Sequence, residues 1–129
     1  MKRVAAATIA ALFLFPGTAK ACVTSEGQRI MPTAYWEKVA ICESSKDGYT
    51  ADWKDRGRWS GGLGIYTGTW NGFGGREFAA KPERATKLEQ IVVANRISVL
   101  GYWRKDGRFQ EPVGFNGWGC IRNRKYLNP

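Results

Sequence analysis

The sequence predicts a small α-rich α+β protein built as a single domain. Its 129 residues are enough for one small domain and little more. Two segments, one near residue 40 and one near residue 90, carry apolar residues at helical spacing. The segments between and after them are rich in glycine and aromatic residues. Such segments suit loops, a small hairpin and a short helix.

The N-terminal residues 1–21 are predicted to be a secretory signal peptide outside this domain. Residues 1–3 form a basic start, and residues 4–15 are an unbroken apolar run that is too short to span a bilayer. Residues 19–21 fit a cleavage site with small residues at its first and third positions. An N-terminal membrane anchor is the alternative, which the shortness of the run disfavours. Cleavage would leave a short N-terminal segment, 22–31, and the domain, 32–129.

The three cysteines, Cys22, Cys42 and Cys120, allow one disulfide and leave one cysteine over. Export makes a disulfide possible, because disulfides persist outside the cytosol. We favour a pair between Cys42 and Cys120, which would join the first helix of the domain to its C-terminal end. Cys22 would then be free or modified, and the residues before it are a poor match to a lipidation signal.

The first helix is predicted to open at Pro32 and Thr33 and to run to about Ser44. One face of it carries residues spaced i, i+3, i+4 and i+7: Trp36, Val39, Ala40 and Glu43. A carboxylate therefore stands at the end of an apolar stripe. The residues that follow, 45–62, are predicted to be a long loop or a small irregular hairpin, and residues 63–73 have room for one short helix around Thr69.

The strongest helix is predicted from Pro82 to about Leu100, since apolar residues occupy two of its sides. A helix of this kind is usually the buried centre of a small domain. One side carries Leu88, Ile91, Val92, Asn95 and Val99, and the other carries Val93, Ala94 and Ile97. Gln90 belongs to the second side.

The sequence contains no histidine. This excludes a Ser–His–Asp triad, a Cys–His pair and the usual zinc sites, and we expect no metal and no cofactor. Acid–base chemistry must then fall to carboxylates, lysine or tyrosine. Glu43 is the leading candidate, because burial against an apolar wall favours the neutral carboxyl that a general acid needs. From spacing alone, a plain surface glutamate near a helix end is the commoner interpretation.

Residues 36–44, with the sequence WEKVAICES, resemble the opening helix of the resuscitation-promoting-factor family. Members of this family, from actinobacteria and their phages, are transglycosylase-like domains with a lysozyme-type fold. Further matches follow in the family's order: an aromatic-x-G-G-L segment at 59–63, a T-W pair at 69–70, a Q-I-x-V-A-x-R helix at 90–96 and a late cysteine. The resemblance covers about residues 35–121.

The resemblance implies a small lysozyme-like enzyme, a peptidoglycan lytic transglycosylase or muramidase. It would cut the β-1,4 bonds between N-acetylmuramic acid and N-acetylglucosamine. Position by position, it implies Glu43 as the catalytic acid and Cys42–Cys120 as the disulfide. It implies that the glycan is bound by Trp59, Gly61, Gly62 and Gln90, with Gln90 facing the cleft. Trp53 is a further candidate, because it lies in a loop rich in glycine and charge.

A second carboxylate could come from Asp47, Asp52 or Asp55 in the loop after Glu43. An inverting hydrolase needs a base and a retaining one needs a nucleophile. A lytic transglycosylase needs neither, because the C6 hydroxyl of the muramic acid attacks and one glutamate acts as acid and then base. A solvated charged loop is the commoner interpretation of these aspartates, and the resemblance favours the single-glutamate route.

The formal net charge of +9 and the 17 aromatic residues (6 Trp, 5 Tyr and 6 Phe) leave two alternatives open. One is a non-catalytic cationic protein that binds the cell wall or kills bacteria. The other is a nucleic-acid binder, which the signal peptide and the lack of a nucleic-acid motif argue against. We expect a secreted monomer, extracellular or at the cell wall, that binds peptidoglycan glycan strands. We expect no nucleic acid partner and no stable membrane association after signal cleavage.

Overall fold

The computed structural model describes residues 22–23 and 29–123, and side chains from residue 30 onward. The predicted signal peptide and the side chain of Cys22 lie outside the described residues. Among the described helices, none combines the length and the apolar character that crossing a membrane requires.

The described chain is rich in helix and carries three small antiparallel hairpins. The α-helices are α1 (Thr33–Ser44), α2 (Thr67–Gly72), α3 (Lys87–Asn95) and α4 (Gly119–Arg122). The strands pair as β1 (Cys22–Val23) with β2 (Arg29–Ile30), β3 (Trp59–Ser60) with β4 (Ile65–Tyr66), and β5 (Tyr102–Trp103) with β6 (Phe109–Gln110). The predicted α-rich α+β class is confirmed.

Helix α1 has the predicted bounds and turns its apolar stripe into the core. Trp36, Val39 and Ala40 are completely buried. The Trp36 ring packs against Trp118 with the ring centres 4.8 Å apart, and it stacks on Phe115 at 6.1 Å. The C-terminal segment of the chain therefore covers the first helix.

The strongest predicted helix is divided into three pieces, so the prediction of one helix from Pro82 is wrong. Pro82–Arg84 is a separate 3₁₀ turn, and α3 begins only at Lys87. Thr86 caps this start, because its hydroxyl accepts the Glu89 N–H while the Glu89 carboxylate accepts the Thr86 N–H. After Asn95 the chain continues as a π-helix to Leu100.

The burial of α3 also differs from the prediction. Leu88 and Val92 are 60% and 42% exposed, whereas the buried side includes the polar residues Gln90 and Asn95. The side-chain oxygen of Asn95 (Oδ1) accepts the Met31 N–H at 2.9 Å and the indole N–H of Trp36 at 3.2 Å. The buried face of α3 is thus partly polar, and its amides connect it to the segments that pack on it.

Gln90 holds the β3–β4 hairpin against α3. Its side-chain oxygen accepts the Gly62 N–H at 2.9 Å, and its amide nitrogen donates to the carbonyl oxygens of Trp53 and Ala85 at 2.9 and 3.1 Å. The side chain is 0% exposed. The expectation that Gln90 faces the cleft is therefore wrong, because its amide is buried and bonded within the protein.

Gly61 and Gly62 are buried between Gln90 and Trp53 rather than exposed along a cleft wall. A Cβ on Gly61 would approach the Gln90 side-chain oxygen to 2.3 Å, and a Cβ on Gly62 would approach the Trp53 ring to 2.5 Å. Gly61 also has a φ of +72°. These two glycines are required so that the hairpin turn can pack closely on α3.

The predicted disulfide between Cys42 and Cys120 is confirmed. The two Cα atoms are 6.0 Å apart and the residues are separated by 78 positions in the sequence. The bond joins the last turn of α1 to α4. It therefore closes a loop that contains the β3–β4 hairpin, α3 and the β5–β6 hairpin.

Replacing Cys42 and Cys120 together by alanine is expected to lower the free energy of unfolding by about 4–5 kcal/mol, because the unfolded chain regains the entropy of a long open loop. Urea denaturation of the variant and of the oxidised protein measures the difference. As a control, dithiothreitol should destabilise the native protein and leave the variant unchanged. Equal stability of the variant and the oxidised protein would contradict the prediction.

Replacing Gln90 by leucine is expected to lower the free energy of unfolding by about 2–3 kcal/mol, because the Gly62 N–H is left buried without an acceptor. The matched control is Gln110→Leu, at a half-buried position whose amide makes only a 3.4 Å bond to the Glu111 carbonyl. This control should change stability by less than about 0.5 kcal/mol. Similar urea midpoints for the two variants would show that the Gln90 bonds do not hold the hairpin.

Candidate active site

Glu43 lies in the last turn of α1, next to the disulfide-bonded Cys42, and is half-buried. Its Oε1 accepts the backbone N–H of Cys120 at 2.9 Å. Its Oε2 points towards Gly64, 4.0 Å from the position that a Cβ on that residue would take. Oε1 is therefore held by the Cys120 N–H, and Oε2 faces Gly64, which has no side chain.

The β3–β4 hairpin places two aromatic residues in the same pocket lining as Gly64. Trp59 and Tyr66 are directly opposite each other in the hairpin, and both are exposed. The guanidinium carbon of Arg58 lies 5.2 Å from the centre of the Trp59 ring and 5.6 Å from that of Tyr66. The Trp59 Cβ is also 4.0 Å from the position of a Cβ on Gly64, so Gly64 separates Trp59 from Glu43.

A pocket of about 170 Å³ opens at this place, and we call it the candidate cleft. Its lining includes Trp59, Gly64, Tyr66, Thr69, Val113 and Trp118. Gly64 has a φ of +53° and leaves room for a ligand to approach the backbone. Aromatic rings pack well on apolar faces such as those of sugar rings. The candidate cleft therefore offers a surface suited to carbohydrate, and the Glu43 carboxyl group adjoins that surface at Gly64 without lining the pocket itself.

Trp53 has a different environment from Trp59. Its ring lies against the backbone of Gly62 and packs on the core, and the Lys87 ammonium nitrogen is 6.0 Å from the ring centre. The structure thus places Trp53 against the hairpin turn, where it supports the turn with Gln90.

Two of the three candidate aspartates are engaged within their own loop. The Asp47 carboxylate accepts the N–H groups of Tyr49 and Thr50 and the Ser45 hydroxyl, and these bonds hold its pKa well below the usual range. The Lys46 ammonium group, 3.2 Å away, and the Lys54 N–H lower the pKa of Asp52.

Asp55 contributes its backbone to the hairpin, since its carbonyl oxygen accepts the Gly61 N–H at 2.8 Å. Among the described residues, no three His, Cys, Asp or Glu side chains come together in a group that could hold a metal ion. The Glu43 carboxyl group, with one oxygen held by Cys120 and the other facing Gly64, is thus the group beside the candidate cleft that is placed to transfer a proton.

Sequence reasoning did not identify Tyr66, Arg58 or the Cys120 N–H as parts of this site. Tyr66 joins Trp59 through the register of the hairpin, and the Cys120 N–H reaches Glu43 across 77 residues. No local pattern indicates either contact. Gly64 lies between Glu43 and Trp59, since a Cβ at this position would stand 4.0 Å from both Glu43 Oε2 and the Trp59 Cβ.

Comparison with known proteins agrees with the resemblance. The sequence model of the family described as "Transglycosylase-like domain" matches residues 31–105, which include α1, the β3–β4 hairpin and α3. Resuscitation-promoting factor Rpf1 of Corynebacterium glutamicum is 35% identical over 87 residues. That match covers 66% of this chain and 42% of Rpf1, so the chain spans less than half the length of this relative.

No solved structure matches the chain. The helix-rich domain with the Cys42–Cys120 disulfide is nevertheless of the small lysozyme-like type. The family match contains Glu43 and its helix, both aromatic residues of the hairpin and Gln90. From the order of its motifs, its fold and this match, the chain belongs to the transglycosylase-like domain family found in resuscitation-promoting factors.

Proposed function

We propose that this protein cuts the β-1,4 glycosidic bond between N-acetylmuramic acid and N-acetylglucosamine in bacterial peptidoglycan, with Glu43 as the catalytic acid. The observation that carries the proposal is the position of Glu43. It lies within the family match, and its Oε2 faces Gly64, a residue of the cleft lining, while Cys120 holds its Oε1. Trp59 and Tyr66 offer the adjacent surface for the sugar rings.

The single-glutamate route of a lytic transglycosylase fits this site best. The Glu43 proton passes to the glycosidic oxygen as the bond from that oxygen to C1 of the muramic acid breaks. The C6 hydroxyl of the same sugar then bonds to C1 and returns its proton to the Glu43 carboxylate, which leaves a 1,6-anhydro sugar and restores the acid. The engagement of Asp47 and Asp52 within their loop supports a route that needs no second carboxylate.

A hydrolase is the neighbouring alternative, and Asp55 is then the candidate for the second carboxylate. Its side chain makes none of the hydrogen bonds that occupy Asp47 and Asp52. We also propose that the protein acts outside the cell or at the cell wall, after removal of residues 1–21. A basic protein is concentrated there by the anionic polymers of the wall.

Glu43→Gln is expected to reduce the release of soluble muropeptides from purified peptidoglycan by at least about 100-fold, because general acid catalysis is lost. The amide oxygen can still accept the Cys120 N–H, so folding and binding to sedimented peptidoglycan should be retained. Mass spectrometry of the wild-type products should show 1,6-anhydromuramic acid ends. The matched control is the triple variant Asp47→Asn, Asp52→Asn, Asp55→Asn, which should keep its activity.

Three results would change this assignment. Full activity of the Glu43→Gln variant would reject Glu43 as the acid. Products with reducing ends, together with a loss of activity in the triple variant, would instead establish a hydrolase. No release by a folded wild-type protein, on walls of several chemical types, would favour the non-catalytic cationic wall binder.

Trp59→Ala is expected to raise KM for glycan strands by about 3–10-fold, because an aromatic contact worth about 1 kcal/mol is lost. The rate at saturation should change little, since the ring does not transfer a proton. The matched control is Trp103→Ala, which removes a ring that is 69% exposed on the β5–β6 hairpin. Equal effects of the two substitutions would show that Trp59 has no particular place in glycan binding.

A further inference from the structure

A second pocket, of about 600 Å³, lies next to the β3–β4 hairpin, and we call it the basic pocket. It is lined by Lys54, Arg56, Gly57, Lys81, Glu83 and Arg84. The four cations come from two segments of the chain: Lys54 and Arg56 from the loop before β3, and Lys81 and Arg84 from the start and end of the 3₁₀ turn before α3. They are all exposed, so their side chains can reach a ligand without breaking an internal contact.

The positive charge of the basic pocket is not balanced by the protein. Among residues 30–123, none of the four cations forms an ion pair. The one carboxylate of the lining, Glu83, accepts the hydroxyl of the buried Ser60 at 2.7 Å. Burial opposes ionisation of Glu83, but this hydrogen bond and the charges of Lys81 and Arg84 outweigh it and lower its pKa. Glu83 is thus ionised and offsets only part of the charge.

Four cations around one opening concentrate a positive potential there and attract anions. Arginine is suited to this role, because its planar guanidinium group binds a carboxylate through two parallel hydrogen bonds. The basic pocket contains two arginines, and one comes from each segment of the lining: Arg56 and Arg84. An anionic chain with several charged groups could therefore contact both sides of the pocket.

The basic pocket adjoins the candidate cleft through three consecutive residues. Gly57 lines the basic pocket, Arg58 covers the rings of Trp59 and Tyr66, and Trp59 lines the candidate cleft. The Cα atoms of Gly57 and Trp59 are at most about 7 Å apart, because two residues of extended chain span no more. The linings of the two pockets are therefore close enough for one ligand with a branch to contact both.

We propose that the basic pocket binds the free carboxylates of the stem peptides that branch from the muramic acid residues of the glycan. This proposal rests on the proposed function, because it takes peptidoglycan as the ligand of the candidate cleft. A stem peptide carries several carboxylates along an extended chain. The width of the basic pocket and the two separate sources of its cations suit such a chain better than a single phosphate group.

The first test measures binding without turnover. A soluble stem tetrapeptide with free carboxylates, and the same peptide with its carboxylates amidated, are titrated into the purified protein by calorimetry. The free peptide should bind at least about 10-fold more tightly than the amidated one, and its Kd should rise with salt. Arg56→Gln with Arg84→Gln should weaken binding of the free peptide by at least about 10-fold.

The matched control is Arg76→Gln with Arg104→Gln, which removes the same charge from exposed residues around a different pocket. It should change the Kd by less than about 2-fold, since distant surface charges are screened. Equal binding of the two peptides, or an equal loss in the control, would overturn the proposal. Tighter binding of a glycerol-phosphate polymer than of the peptide would overturn it in favour of a phosphate ligand.

The second test separates this proposal from the proposed function. Cleavage is measured on peptidoglycan strands with their peptides and on strands from which an amidase has removed them. The Arg56, Arg84 double variant should raise KM only for the strands that carry peptides. A wild-type protein that binds the peptide but cleaves neither substrate would refute the proposed function alone. Unchanged KM on both substrates in the double variant would refute the basic pocket alone.

Discussion

The attachment of Cys120 to the end of α1 is the constraint on which the rest of the structure depends. Cys120 makes two bonds there, a disulfide to Cys42 and a backbone hydrogen bond to Glu43. Two residues earlier, Trp118 packs on Trp36 and donates its indole N–H to the Leu63 carbonyl in the hairpin turn. The C-terminal segment therefore holds the first helix and the hairpin in place, and the same contacts orient the carboxyl group.

Buried amides make a second set of connections. Gln90 and Asn95 lie on the same helix, and their side chains hold the hairpin turn and the N-terminal segment respectively. Among the buried side-chain polar atoms of the described residues, none lacks a hydrogen-bond partner. Buried amides favour one arrangement over others, because any shift would leave a polar group without a partner. The positions of the hairpin and of α1 are in this way fixed relative to α3.

The two sides of the hairpin serve different purposes in the proposed function. Because neighbouring residues of a strand face opposite ways, Trp59 faces the candidate cleft while Ser60 points inward and donates its hydroxyl to Glu83, which lines the basic pocket. A two-residue strand can therefore link a surface for sugar rings to a surface for anions. A polymer with both features, a glycan with charged branches, would contact the two surfaces at once.

Sequence patterns predicted the features that depend on neighbours close in the chain, and the resemblance to a family added one distant pairing, the disulfide. Helical spacing predicted α1 and its buried face, and motif order predicted the family and the disulfide. The start of α3 was misplaced because Pro82 is a strong opening signal, although the cap at Thr86 decides where the helix begins. The burial of Gln90, the register of the hairpin and the Cys120 bond to Glu43 were decided only by the tertiary structure. The Gln90 bond to Gly62 spans 28 positions and the Cys120 bond to Glu43 spans 77, and the register depends on how two strands align. No local sequence pattern carries that information.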